Sequence, residues 1–121
     1  MAKILVVDDS KMMLKVATDV LSGLGHEVKS AESGEAGLKI AQEEKLDLIL
    51  LDLMMPGLDG YETCKQFKED DSAKSVPVIM LTALNDQEAV SKSMEVGAVD
   101  YIAKPFEPAT LQAKVKKILG K

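Results

Sequence analysis

Arginine is absent: all fifteen basic residues of this 121-residue chain are lysines. The chain therefore lacks the bidentate fork that usually reads base edges and grips carboxylates. A formal net charge of −5 supplies no basic footprint for nucleic acid or an anionic membrane. Cysteine is reduced to one residue, Cys64, which rules out an internal disulfide and fits a reducing compartment. The only histidine, His26, has no second imidazole with which to form a triad or a metal pair. No stretch approaches the ~18 apolar residues a spanning helix needs. The apolar run within MAKILVVDDS is too short for a signal peptide. These absences predict a cytoplasmic soluble protein with one domain over residues 1–121. Such a chain buries roughly two-thirds of its unfolded surface, enough for an independent core.

What is present is an alternation. Apolar runs at Ile4–Val7, Val28–Ala31, Leu46–Leu51, Val76–Leu81 and Tyr101–Ala103 are separated by segments of helical period. Most of the runs are continuously apolar, as strands covered on both faces should be. In the first intervening segment Met13, Val16, Ala17, Val20, Leu21 and Leu24 mark one helix face, and Gly25 is placed to end it. Ser33 is a cap for a second helix with Gly37, Ile40 and Ala41 inward. Asp59 with Glu62, and Asn85 with Glu88, carry the spacing of capping boxes for a third and a fourth. The third would turn Tyr61, Cys64 and Phe67 inward, and the fourth would run to Gly97. Pro108 suits the first turn of a fifth, with Leu111, Val115 and Ile118 inward. The pattern predicts an α/β protein of (βα)5 type with a parallel sheet and helices on both faces. His26 is expected to be exposed, Cys64 packed, and the methionines core filler.

Ligands of open α/β sheets bind outside the carboxyl ends of the strands. Asp8 and Asp9 follow the first run, Asp52 the third, Thr82 the fourth and Lys104 the fifth. One aspartate there reads equally well as a helix cap. Three carboxylates on neighbouring strands repel one another unless a cation neutralises them. An oxygen-rich, open-faced site of this kind suits Mg²⁺. Beside a metal, a carboxylate can act as nucleophile toward phosphorus, while an ammonium and a hydroxyl hold phosphoryl oxygens. Asp52 is favoured as that nucleophile, because Asp8 and Asp9 are paired for the metal.

The ordered motifs ILVVDDS, LDLILLDLMMPGLDG, VPVIMLTA and GAVDYIAKPF resemble the receiver domain of bacterial two-component response regulators, in particular the stand-alone, chemotaxis-regulator-like type. The resemblance covers essentially the whole chain. It implies a flavodoxin-like sheet in the order 2-1-3-4-5, with Asp52 as phosphoacceptor. It also implies Mg²⁺ (or Mn²⁺) held by Asp9, Asp52 and the backbone carbonyl of Met54, with Asp8 acting largely through water. Lys104 and Thr82 would contact the phosphoryl group, Tyr101 would move with Thr82, and a cis peptide would link Lys104 to Pro105. Implied partners are a histidine kinase or histidine phosphotransfer protein and a downstream protein bound through the fourth helix, fifth strand and fifth helix. No direct nucleic acid or membrane contact is implied. The domain would catalyse its own phosphorylation and dephosphorylation rather than turn over an external substrate. Without arginine, the arginine–carboxylate contacts that pair some receivers cannot form, leaving Lys114 and Lys116 as stand-ins and a monomer or weak phosphorylation-dependent dimer as the expectation.

Rival readings share parts of this pattern. A phosphorelay intermediate or phosphate sink would use the same site. A haloacid-dehalogenase-like phosphatase needs an acid two residues after its nucleophile, where Asp8 is followed by Ser10 and Asp9 by Lys11. A flavodoxin-type carrier must cradle a phosphate in its first loop, which an Asp-Asp pair would repel.

Overall fold

The computed structural model describes residues 2–53, 55, 57, 59–82 and 87–120. Strands and helices alternate: β1 (Lys3–Val7), α1 (Lys11–Gly23), β2 (Glu27–Ala31), α2 (Gly34–Glu43), β3 (Leu48–Asp52), α3 (Gly60–Glu69), β4 (Val78–Thr82), α4 (Gln87–Glu95), β5 (Asp100–Ala103) and α5 (Pro108–Leu119). The five strands form one parallel sheet in the order β2-β1-β3-β4-β5.

The unbroken apolar runs have a direct explanation in the packing. Successive residues of a strand point to opposite faces, and here each face meets helices. Ile4, Val6, Leu48, Leu50, Ile79 and Leu81 pack with Leu14, Ala17, Leu21, Leu111 and Val115 of α1 and α5. Leu5, Val7, Ile49, Leu51, Val78 and Met80 pack on the other side with Ala41, Cys64 and Phe67 of α2 and α3. Every residue of β3 and β4 is buried, whereas β2 and β5 lie at the edges and are partly exposed. That edge position explains the weaker apolar signal of the second run.

Local signals place most helix ends. The Ser33 hydroxyl accepts from the Ala36 N–H, and the Asp59 carboxylate accepts from the Glu62 N–H. Pro108 occupies the first turn of α5, whose last turn carries Lys116 and Lys117. Gly25, just beyond α1, has a φ of 91°, a conformation glycine adopts without a Cβ penalty. The expected cap at Asn85 lies outside the described residues.

Several expectations need correction. The buried face of α1 is Leu14, Ala17 and Leu21, whereas Val16 is 36% exposed. The helix is rotated relative to the sequence reading because Leu14 and Leu21, two turns apart, carry larger apolar surfaces than Val16. β4 begins at Val78 rather than Val76, since the Val76 N–H closes the preceding turn onto the Ala73 carbonyl and Pro77 has no N–H to donate. His26 is half-buried, its Nδ1 accepting the Ala2 N–H at 3.1 Å. Met55 and Met80 are buried, but Met12 and Met94 are exposed, so the methionines are only partly core filler.

Candidate functional site

The site lies at the carboxyl ends of β1, β3, β4 and β5. At the end of β1 the Asp8 N–H donates to the Ala31 carbonyl, extending the ladder toward β2 by one residue. The Asp8 side chain is fully buried, and its Oδ1 accepts the Ser10 N–H at 2.9 Å. Ser10, not either aspartate, caps α1: its Oγ accepts from the Met13 N–H at 3.3 Å. The capping explanation for the acidic pair therefore fails. Asp9 is exposed on the open side.

Asp52 is the last residue of β3 and pairs in register with Leu81 of β4. It is buried, and its backbone is held from behind by the first turn of α3. The Gly60 N–H donates to the Leu53 carbonyl at 3.1 Å. A Cβ on Gly60 would stand 2.6 Å from Leu53 Cα and 3.0 Å from the Asp52 carbonyl carbon. Only a residue without a side chain lets α3 start this close to the acceptor strand. No local signal in the sequence distinguishes this role of Gly60 from that of an ordinary turn glycine.

Lys104 follows β5, its N–H donating to the Thr82 carbonyl at 2.7 Å. The Lys104–Pro105 peptide is cis. The Lys104 ammonium lies 2.7 Å from Asp8 Oδ2 and 3.1 Å from Asp52 Oδ1. Burial pulls its pKa down, but the hydrogen bond to Asp8 and the charges of Asp52 and Asp8 outweigh that and hold it above the ordinary lysine range. Thr82 is buried at the end of β4, and Tyr101 is half-buried on β5. Met54 lies outside the described residues.

One carboxylate oxygen from each of Asp8, Asp9 and Asp52 falls within 4.8 Å of the others. The Lys104 ammonium meets two of these carboxylates, those of the buried Asp8 and Asp52, while Asp9 stands open to solvent. This all-oxygen, net-negative, one-sided donor set fits a hard divalent cation that keeps part of its water. Among the described residues, no helix is long and apolar enough to cross a membrane.

A family model described as "Response regulator receiver domain" matches residues 4–116. The chain is 44% identical over 117 residues to the "Probable transcriptional regulator ycf27" of Porphyridium aerugineum, a match covering 97% of this chain and 48% of that protein. It spans about half the length of the curated relatives it matches. Among solved structures, chemotaxis protein CheY4 of Vibrio cholerae superposes with a TM-score of 0.95 at 34% identity, covering 98% of this chain and 99% of that one. The receiver domain of a sensor histidine kinase from Pseudomonas aeruginosa PAO1, solved with a magnesium ion coordinated in its active site cleft, gives 0.91 at 32% identity, covering 99% and 98%.

Proposed function

This chain belongs to the response regulator receiver domain family, and from that premise we propose that it is a phosphorylation-dependent signalling switch with Asp52 as the phosphoacceptor. The observation that carries the reading is the convergence of Asp8, Asp9, Asp52 and Lys104, from three strand ends, on one rim of the sheet. The donor is a phosphohistidine on a histidine kinase or phosphotransfer protein. A carboxylate oxygen of Asp52 attacks phosphorus, an O–P bond forms, the N–P bond to the imidazole breaks, and the product is an acyl phosphate. Small acyl phosphates or phosphoramidates serve as donors too, because the receiver supplies the catalytic groups.

Asp8, Asp9 and Asp52 would hold Mg²⁺, which when bound neutralises charge on the carboxylates and the phosphoryl oxygens. The backbone carbonyl of Met54 is the further ligand the family implies. Lys104 is already aimed at Asp52 and exchanges a carboxylate oxygen for a phosphoryl oxygen, while the Thr82 hydroxyl donates to another. Tyr101 follows Thr82, and the surface formed by α4, β5 and α5 changes its partner affinity. Taking a mostly inactive population to a mostly active one requires about 5.5 kcal/mol of differential stabilisation, with smaller biases giving graded output.

The domain acts in the cytoplasm and makes no direct nucleic acid contact of its own, in keeping with its acidic charge. Whether the signal passes to a separate protein or along a phosphorelay depends on the partner. The test is phosphorylation by a small acyl phosphate with Mg²⁺, read as a hydroxylamine-labile label. Asp52→Asn is expected to lose the label, and Asp9→Asn to lose the Mg²⁺-stimulated labelling. Undiminished labelling of Asp52→Asn would reject the assignment.

A further inference from the structure

β5 is an edge strand, and its two faces are treated differently. Ile102 packs into the cluster under α1 and α5, whereas Tyr101 packs against the opposite cluster. Lys114 of α5 reaches across this edge. Its ammonium sits 3.0 Å from both carboxylate oxygens of Asp100 and 5.8 Å from the centroid of the Tyr101 ring. Asp100 Oδ1 also accepts the Tyr101 N–H at 2.8 Å. One carboxylate therefore holds both the backbone of Tyr101 and the cation lying over its ring. The pair is sheltered, with Asp100 16% and Lys114 34% exposed at the side chain.

We propose that Lys114, anchored by Asp100, is a positioning residue that latches Tyr101 in its present place and so sets how readily the domain switches before any phosphate arrives. This rests on the reading of Tyr101 as the moving aromatic. A cation over a tyrosine face is attractive only while the ring stays beneath it, so displacement of the ring forfeits that contact. The charge-assisted pair with Asp100 keeps the ammonium from following.

The chain has two tyrosines and no tryptophan, so Tyr61→Phe leaves Tyr101 as a single reporter. The experiment incorporates 3-fluorotyrosine into the full chain in that background and records ¹⁹F NMR without any phosphodonor. Lys114→Met is expected to enlarge the population of the displaced Tyr101 state by about two- to fivefold. Asp100→Asn should move the signal in the same direction, and Lys114→Arg should keep the parent spectrum. A parent-like spectrum for Lys114→Met overturns the proposal, as does a Lys114→Arg spectrum matching that of Lys114→Met. Because no phosphate is present, failure of Asp52 as acceptor would leave this readout unaffected.

Discussion

Gly60→Ala tests whether the acceptor strand is held by the start of α3. The added Cβ would lie 2.6 Å from Leu53 Cα and 3.0 Å from the Asp52 carbonyl carbon, and closer still to the Asp52 carbonyl oxygen. Carbon atoms prefer about 3.5–4.0 Å, so the helix start and the strand end must separate by roughly 1 Å. All three atoms are backbone, so no side chain can rotate away to relieve the clash. Overpacking of this kind costs ~1–3 kcal/mol, and the rigidity of the partners puts Gly60→Ala at the upper end. Alanine's better helix propensity offsets at most about 1 kcal/mol, leaving a net loss of roughly 2–3 kcal/mol. For a domain of this size that lowers Tm by about 6–15 °C. Urea denaturation should show a lower midpoint with an unchanged m-value. The matched control is Gly23→Ala at the end of α1, where a Cβ meets nothing within 4 Å. That change should be neutral or stabilise by up to ~1 kcal/mol. Displacement of Asp52 should also slow phosphoryl uptake in Gly60→Ala. Equal melting temperatures for Gly60→Ala and the parent would refute the reasoning.

Three further outcomes follow from the site and the core. Lys104→Met leaves the buried Asp8 and Asp52 without their half-buried counter-ion and should cost about 3 kcal/mol at neutral pH, with Mg²⁺ restoring more of the loss than it adds to the parent. Because the folded pKa of Lys104 is raised, its contribution is complete below the unfolded value of 10.5 and fades as pH climbs through the higher folded value. The parent should therefore lose stability in that alkaline window relative to Lys104→Met; parallel curves would count against the ion pairs. Mg²⁺ at a hundred times its Kd should stabilise the parent by about 2.7 kcal/mol in thermal melts, and Asp9→Asn should lose that response. Cys64 is fully buried, and burial pushes its thiol up to about 11. Labelling by a thiol reagent at pH near ~8 should follow unfolding and accelerate with urea, and rapid labelling of native protein would contradict that placement.

Much of the fold was legible in one dimension. Continuously apolar strand runs require cover on both faces, and caps such as Ser33 and Asp59 act on N–H groups three residues away. The candidate site residues were legible for a related reason: each ends a strand, and strand ends of a parallel sheet share one rim. The facing of α1 was less so, because Leu14 and Val16 compete for one core and only the neighbouring strands decide between them.

The alternation of apolar runs and amphipathic segments is thus a property of the sequence itself, since it follows from backbone periodicity and burial. Tertiary structure alone decided which carboxylate is deep, Asp8, and which is open, Asp9, although they are adjacent in the chain. It alone brought Lys104 to Asp8 across 96 positions, and it alone made Gly60 the support behind Asp52. Those outcomes depend on through-space distances between elements that meet only after folding, and no local preference encodes a distance of that kind.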